Sequence, residues 1–300
     1  MLSLIRCLFC LLLLFPVITS TLWADEREEI NFIQHLVDRQ FWGDVIFAVE
    51  QMEEDHSNWL QHHPDTHDSL QFNAGWAAYN REELSYASER FKQISPESPD
   101  FLQSAFYRSY LLAHLSVNEN HPGFLETATE ELQQLEPDQQ LHQELQNFEL
   151  AGMALLDRNY DQFETLSDGF TGQYYAFAEQ EESLLDHHQD LANAGGKSPF
   201  AAGLMSAVIP GSGKLYAGRR GDGISTFLQV AIFGSVFAES AINAGWDHPR
   251  TWISGGAFGL FYSANIWGSV VAVRITKEEI HEQVDQRILL DLHIPLRSVF

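Results

Sequence analysis

Two long apolar stretches near the C-terminus set the strongest limit on how this 300-residue chain folds. The first stretch runs from Gly223 to Gly245, and Glu239 is its only charged residue. The second runs from Thr251 to Val273 and contains no charge. Each reaches about the 20 residues that a helix needs to cross the hydrocarbon core of a bilayer. The sequence therefore predicts an α-helical transmembrane hairpin with spans at about 223–245 and 251–273.

Three polar side chains within the predicted spans are candidate functional groups: Gln229, Glu239 and Asn265. An amide or carboxylate without a partner is costly in hydrocarbon, so such residues have a role by default. With a turn centred near His248, Gln229 and Asn265 lie at nearly the same depth, and we predict that their amides pair between the helices. The alternative is that each amide bonds to a backbone carbonyl or to a second protomer.

A glycine-rich turn precedes the first span and consists of Pro210, Gly211, Gly213, Tyr216 and Gly218. This pattern resembles the motif of TM2-type two-helix membrane modules, in which a Pro-Gly turn and a Tyr-x-Gly precede the first span. Leu215 stands where that family has an aromatic residue. The resemblance implies a membrane module of unknown function over 195–274, and it supplies no reaction. A short apolar segment at 199–210 comes before the turn and is too short to span comfortably.

Charge is distributed unevenly along the chain. Residues 25–194 carry 34 acidic and 7 basic side chains, a balance of −27, whereas residues 195–300 carry 8 acidic and 9 basic ones. A surface at −27 repels phosphate, so nucleic acid is excluded as a partner of the acidic part. Its partner is instead expected to be a basic or neutral protein or peptide.

Apolar residues in the acidic part recur at intervals of three and four, which is the period of a helix. Four such stripes begin at Phe32, Val45, Leu84 and Leu125, and prolines fall between several of them. No Asn-Gly or Asp-Gly turn joins two alternating apolar runs. The sequence therefore predicts an all-α fold, in which an acidic helical domain at 25–194 precedes the transmembrane hairpin.

One segment of the acidic domain has the spacing of a helical repeat. Gly75 is followed by Ala87, Phe91 and Pro99 at intervals of 12, 4 and 8 residues. This segment resembles a tetratricopeptide repeat, in which small residues let two antiparallel helices approach and a proline ends the second. The resemblance extends in degenerate form over about residues 29–168.

The equivalent first-helix positions are Leu36, Gly75, Ala113 and Ala151, at spacings of 39, 38 and 38 residues. The period of the family is about 34. Longer loops or a looser family of helical hairpins would explain the difference. The resemblance implies a stacked array whose surface binds a peptide or protein segment. The alternative is a spacer that binds no ligand.

The first 24 residues have the pattern of a secretory signal peptide. Arg6 precedes an apolar run at 8–18, and small residues follow at 19–24. We predict cleavage between residues 20 and 24. The alternative is an uncleaved signal anchor.

Cys7 and Cys10 are the only cysteines, and both lie in this leader. The mature chain is therefore predicted to contain no thiol, which excludes disulfides, thiolate nucleophiles and cysteine-ligated zinc. We expect the exported protein not to react with a thiol reagent under denaturing conditions. One reactive equivalent or more per chain would show that the leader is retained.

The sequence contains no motif that assigns a reaction or a cofactor. Residues 211–214 are similar to a phosphate-binding loop, but Val208 and Leu215 replace the glycine and the hydroxyl residue that such a loop requires. A histidine cluster at 62–67 is placed in a solvated loop because of Pro64 and its polar neighbours. We therefore predict no catalytic residue, no cofactor and no metal site.

Residues 275–300 are predicted to form an amphipathic C-terminal helix and a tail. A capping box at Thr276 and Glu279 begins this helix, and an apolar stripe follows. We place the helix at 277–291, against the membrane module or the bilayer surface. Pro295 is expected to end any continuation.

Two topology rules disagree for this chain. The leader places the acidic domain outside the cytoplasm, whereas the lysines and arginines that flank the hairpin favour cytoplasmic flanks. Both rules hold only if residues 199–213 also cross the membrane. We expect a bacterial inner-membrane protein whose acidic domain is periplasmic, and the third crossing stays open.

These patterns favour a membrane-anchored adaptor that captures a protein partner through its extracytoplasmic helical array. Membrane lipid is then its second partner. The alternative is a subunit of a membrane enzyme or transporter in which the polar residues of the spans act, above all Glu239. A purely structural anchor is a third hypothesis.

Overall fold

A computed structural model describes residues 26–119 and 121–300, and the predicted leader lies outside this range. Over these residues the fold is all-α, as predicted: 14 helices account for 81% of the described residues, and none of them forms a strand. Internal contacts divide the chain into two units. The first comprises the described chain up to Ala178 together with Leu292–Phe300, and the second comprises Glu179–Asp291.

The first unit is a series of helices that pack on their neighbours in chain order. They are α1 (26–38), α2 (Trp42–Asp55), α3 (Ser57–Leu60), α4 (Pro64–Asn80), α5 (Leu84–Phe91), α6 (Phe101–Glu119), α7 (Pro122–Gln133), α8 (Gln140–Leu156) and α9 (Tyr160–Ser167). Apart from the single-turn helix α3, each helix from α4 to α9 packs on the one before it, and α4 also packs on α2. This nearest-neighbour packing is that of a helical array.

The positions that the predicted repeat aligns are all buried. The first-helix positions lie on α1, α4, α6 and α8, and all four are buried: Leu36, Gly75, Ala113 and Ala151. The matching positions on α2, α5, α7 and α9 are also buried: Ala48, Ala87, Ala128 and Phe163. Each of these helices therefore turns its apolar stripe towards the core, because the apolar residues recur at helical spacing.

Two arginines link neighbouring helices of the array. Arg108 on α6 binds both carboxylate oxygens of Glu131 on α7, at 2.7 and 3.0 Å, and also donates to the carbonyl and hydroxyl oxygens of Ser88 on α5 at 2.8 Å. Arg90 on α5 binds both oxygens of Glu53 on α2 at 2.8 Å. Charge-assisted bidentate pairs have a fixed geometry. Each arginine therefore helps to set the spacing of the helices that it joins.

Gly75 lies at a close contact between α4 and α5, as predicted. A Cβ at this position would lie 2.7 Å from Cε1 of Phe91, and Ala87 is buried on the same helix as Phe91. Pro99 is not part of this contact, because it lies in the connection at 92–100 that leads to α6. The glycine is therefore what permits the aromatic ring to pack against α4.

We expect Gly75→Leu to lower the free energy of unfolding by about 1–3 kcal/mol, because it overpacks this contact. Thermal unfolding of the detergent-solubilised full chain measures the effect. Gly123→Leu is the matched control, since a Cβ at Gly123 has no neighbour within 4 Å. Equal melting temperatures for the two variants would remove the proposed alignment of the repeat.

The second unit contains two helices that are long and apolar enough to cross a membrane. Its helices are α10 (Ala178–Gly195), α11 (Pro199–Val208), α12 (Ser212–Ala217), α13 (Arg220–Asn243) and α14 (Pro249–Val299), of which α14 continues into the first unit. The most apolar windows of α13 and α14 have mean hydropathy 1.4 and 1.3, and only 17% and 22% of their residues are buried. An apolar helix that its own fold leaves exposed needs an apolar environment outside the protein.

The predicted end of the chain is wrong in one respect. Helix α14 runs without interruption from Pro249 to Val299, so no separate helix begins at 277 and Pro295 does not end it. Leu292 and Leu296, on either side of the proline, are fully buried. Their packing offsets the backbone hydrogen bond that Pro295 cannot donate.

The histidine cluster is only partly placed as predicted, since His62 and His63 lie in the connection at 61–63 but His67 does not. Helix α4 begins at Pro64. Proline suits the first turn of a helix, because the N–H groups of that turn have no acceptor within the helix. His67 and Asp68 therefore lie on a helix and not in a loop, and Asp68 is buried where it accepts a hydrogen bond from Ser95 at 3.0 Å. Within residues 26–119 and 121–300, no group of three or more His, Cys, Asp or Glu side chains is arranged to hold a metal ion.

Candidate functional site

The last residues of the chain pack on the helical array of the first unit. Leu292–Phe300, named here the C-terminal segment, is the end of α14 and the residue that follows it. It contacts α4, α6 and α8, which are the first helices of three successive pairs. The residues that it contacts are named here the docking face: Tyr79, Phe106, Tyr110, His142 and Gly152.

Apolar side chains at intervals of four residues form most of this contact. Leu292 packs directly on Gly152, where even a Cβ would lie well under 3.0 Å from the leucine side chain. At the far end, the ring of Phe300 lies 5.6 Å from that of Phe106 and stacks on that of His142 at 5.3 Å. This spacing is that of a helix that lays one apolar face on a partner.

His293 adds a polar contact in the middle of the docking face. Its ring stacks on Tyr110, with centroids 5.0 Å apart and planes 14° apart, and its Nε2 is hydrogen-bonded to the hydroxyl of Tyr79. Burial raises the pKa of both Tyr79 and Tyr110. The two tyrosines therefore remain protonated at neutral pH, and they recognise the helix through aromatic contact and hydrogen bonding, not through charge.

A buried carboxyl group lies beside this contact. Glu149 is on α8, three residues before Gly152, and only 1% of it is exposed. Neither of its carboxyl oxygens has a hydrogen-bond partner. Burial raises the pKa of Glu149 well above the ordinary value of a glutamate. The pKa of Tyr110 is raised mainly by burial, then by Tyr79, and to a smaller extent by Glu149. Helical spacing places Glu149 on the same face of α8 as His142 and Gly152, which the C-terminal segment contacts.

The predicted glycine-rich turn connects α11 to α13 in the second unit, through Pro210, Gly211, Gly213, Tyr216 and Gly218. Gly211 and Gly218 have φ of 82° and 97°, which glycine adopts without steric cost. A Cβ at Gly213 would lie well under 3.0 Å from the carbonyl oxygen of Ala202 on α11. The hydroxyl of Tyr216 accepts a hydrogen bond at 3.1 Å from the backbone N–H of the N-cap residue of α11. The motif therefore fixes how α12 packs on α11.

Asn265 and Gln229 do not pair, so that prediction is wrong. Asn265 is 2% exposed, accepts a hydrogen bond from the N–H of Gly211 at 2.9 Å, and donates to the carbonyl of Ser206 at 3.0 Å. Gln229 is exposed and donates to the hydroxyl of Ser225 one turn earlier, at 3.3 Å. The turn and α11 cover the face of α14 that carries Asn265, so its amide satisfies backbone groups there and not a side chain of α13.

Glu239 lies near the end of α13 that faces the hairpin turn at 244–248. Its carboxylate forms a salt bridge of 3.2 Å with Arg250 at the start of α14, and about half of each side chain is exposed. The acid is therefore paired at one end of the span. It is not a buried group in the middle of the apolar region.

A buried cluster that the sequence pattern did not reveal joins α10 to α14 within the second unit. The hydroxyl of Ser183 donates to Oδ2 of Asp291 at 2.7 Å, and Nε2 of His187 lies 2.9 Å from the same oxygen. In a nucleophilic triad the serine and the acid bind opposite ring nitrogens. Here both contact Nε2, and the serine oxygen lies 3.4 Å from it. The cluster is therefore a structural link between two helices.

Together these features define a helical-array protein with an apolar two-helix hairpin and a face that binds a helix. Comparison of the chain with protein-family models, with curated proteins and with solved structures found no match in any of the three. The docking face and the apolar helices are therefore the observations from which a function is inferred.

Proposed function

We propose that this protein is a membrane-anchored adaptor, in which α1–α9 bind a partner protein and α13 and α14 hold the complex at the membrane. The observation that carries the proposal is the docking face, which already binds a helix in the form of the C-terminal segment. Helical arrays bind extended or helical segments on such faces. The excess of acidic residues favours a basic or neutral partner, and lipid is the second partner.

The two family resemblances are part of this proposal. Four successive helix pairs with buried small or apolar residues at the aligned positions support a degenerate tetratricopeptide-like array. Gly211 and Gly218 have positive φ, and the N–H of Gly211 donates a hydrogen bond to Asn265. These features support a TM2-type module in which the glycine-rich turn has a structural role. Neither feature supplies a reaction, and no observation favours the enzyme or transporter hypothesis, since Glu239 is paired with Arg250.

The C-terminal segment limits the topology. The chain before Ala178 and after Leu292 belongs to one unit, so both parts lie on the same side of the membrane and an even number of crossings separates them. Helix α13 and the apolar first part of α14 supply two crossings. Helix α11 has 10 residues, too few to cross the bilayer. The proposal therefore has two spans in this region and no crossing at 199–213.

We place the first unit in the periplasm of a bacterial inner-membrane protein. The leader supports this placement, because it is synthesised first and the first hydrophobic segment usually dominates orientation. The basic residues that flank the hairpin, among them Arg219 and Arg274, favour the opposite orientation. A direct measurement of orientation is therefore required.

A single engineered cysteine tests the orientation. We expect Glu54→Cys, an exposed position on α2, to react with a membrane-impermeant maleimide on intact spheroplasts when Cys7 and Cys10 are replaced by serine. Reaction only after permeabilisation would place the first unit in the cytoplasm and overturn this part of the proposal.

Affinity capture of the full chain from detergent-solubilised membranes tests the adaptor role. Gly152→Leu fills the position that Leu292 occupies, so this variant is expected to lose the partner that the wild-type chain enriches. Glu239→Gln is expected to retain it. Circular dichroism verifies that both variants are folded, and Tyr79→Ala weakens the docking face without added bulk. Retention by both docking-face variants, or loss in Glu239→Gln, would contradict the proposal.

A further inference from the structure

The C-terminal segment covers the apolar side chains of the docking face. It leaves the buried carboxyl group of Glu149 without a hydrogen-bond partner. Leu292 and Leu296 are fully buried, and His293 is bound by the two tyrosines. Glu149, on the face of α8 that carries His142 and Gly152, is 1% exposed and has no hydrogen bond to either carboxyl oxygen. A buried carboxyl without a partner destabilises the state that contains it. The resident segment is therefore an incomplete match for this face.

The basic group of the segment does not compensate for this deficit. Arg297 is exposed. Its charge lowers the pKa of Tyr79 and Tyr107, but burial raises both pKa values by more. For Glu149, burial raises the pKa, and neither carboxyl oxygen accepts a hydrogen bond. A lysine or arginine of a competing helix, at the position of His293, would lie over the face of α8 that carries Glu149.

The backbone connection of the segment is also weakened. Pro295 has no N–H, so the helical hydrogen bond to the carbonyl of Asp291 is missing at the start of the segment. The segment is covalently attached, which gives it a high effective concentration at the docking face. A competitor from another protein must therefore bind more tightly per contact, and a charge pair in a buried site supplies that gain.

We infer that the docking face takes a basic amphipathic helix of the partner protein, which displaces the C-terminal segment and pairs a lysine or arginine with Glu149. The matching helix has apolar residues spaced like Leu292, Leu296 and Phe300, and its basic residue takes the place of His293. This inference rests on the proposed adaptor function and adds the class of partner and its anchoring contact. The acidic composition of the array favours the same basic partner.

Peptide binding to the full chain in detergent tests this inference. The probes are a fluorescent peptide of residues 286–300 and the same peptide with His293→Lys. The acceptors are the wild-type chain and the double variant Leu292→Asp, Leu296→Asp, whose own segment no longer fits the docking face. We expect the native peptide to bind the double variant at least about tenfold more tightly than the wild-type chain, because the resident segment no longer competes.

The basic peptide tests the contact with Glu149. We expect it to bind the double variant about tenfold more tightly than the native peptide does, in keeping with a charge-assisted hydrogen bond at a buried site. Adding Glu149→Gln should remove this gain and leave the binding of the native peptide unchanged. A chain that ends at Asp291 serves as a second acceptor if the double variant is not folded by circular dichroism.

The outcomes separate the two proposals. If the native peptide binds but the basic peptide gains nothing, or keeps its gain with Glu149→Gln, the inference about the basic helix is wrong and the docking face remains a binding site. If neither peptide binds a folded acceptor, the docking face is not a site for an exchangeable helix, and the adaptor proposal loses its main support.

Discussion

Replacing Gly213 with alanine is expected to lower the free energy of unfolding of the second unit by about 3 kcal/mol or more. The added methyl group would collide with the carbonyl oxygen and carbonyl carbon of Ala202 on α11, both closer than 3.0 Å. It would also lie 2.7 Å from the hydroxyl oxygen of Ser206, which accepts a hydrogen bond from the N–H of Gly213 at 2.9 Å. Helices α11 and α12 must separate to admit it.

The size of this effect follows from the type of atom that the methyl group meets. A flexible side chain can rotate away from a new Cβ, but a helix carbonyl moves only with its helix. Gly211 is a second such position, since its Cβ would collide with the carbonyl of Gly223 and its φ of 82° disfavours any residue with a side chain. Gly211→Ala should therefore be at least as damaging as Gly213→Ala.

Thermal unfolding of the full chain in detergent, followed by circular dichroism, measures both variants. Gly221→Ala and Gly256→Ala are matched controls, because a Cβ at either glycine has no neighbour within 4 Å. The controls are expected to stay within about 0.5 kcal/mol of the wild-type chain or to exceed it, since alanine favours a helix more than glycine does. Equal melting temperatures for Gly213→Ala and Gly221→Ala would mean that the turn does not pack as described.

Features that depend on local spacing are the ones that the sequence allowed us to predict. The stripe that begins at Phe32 marks a helix because residues three and four apart share one face, and Ile33 and Leu36 are indeed buried on α1. The close approach at Gly75 is also local, since it involves two consecutive helices of one pair. The special conformations at Gly211 and Gly218 follow from residue type, because glycine tolerates positive φ.

Features that depend on contacts between distant residues were missed. Pro295 ends a helix by local rules, yet the packing of Leu292 and Leu296 on the array carries α14 past it. In the sequence, Glu149 is indistinguishable from the many other acidic residues of the acidic domain. Only the packed structure shows that it is buried. The apolar residues at four-residue intervals beyond Pro295 are the one signal that pointed to the docking contact, and their partner was not visible in the sequence.

The prediction for Asn265 and Gln229 failed for a related reason. Depth in a hairpin follows from counting residues from the turn, but the face on which a side chain lies depends on what packs there. Asn265 faces the turn and α11, so two backbone groups satisfy its amide. Counting residues along α13 and α14 cannot show that α11 and the glycine-rich turn pack on the face of α14 that carries Asn265.

Replacing Glu149 with leucine is expected to stabilise the protein at neutral pH, and by more as the pH rises. Burial raises the pKa of this carboxyl well above its usual value of 4.5, so the folded state holds the proton more tightly than the unfolded state does. The stability that this proton contributes is fully present when the pH is below the pKa of the group in the unfolded state. It is lost as the pH rises towards the higher pKa of the group in the folded state. The slope of this loss is at most about 1.4 kcal/mol per pH unit for a single proton.

The pH dependence of unfolding distinguishes this effect from a simple change in packing. The gain of Glu149→Leu over the wild-type chain should be small at pH 5 and should grow steadily towards pH 8. Glu149→Gln should remove the same pH-dependent loss while it keeps a buried amide, because glutamine has no proton to release. Measurements above pH 7 are the most informative, since burial lowers the pKa of His114, whose ring lies 6.1 Å from that of Tyr110, and it stays neutral there. Glu130→Gln on α7 is the control, as this carboxylate is exposed. A gain that is equal at pH 5 and pH 8 would show that Glu149 is not a buried, protonated acid beneath the C-terminal segment.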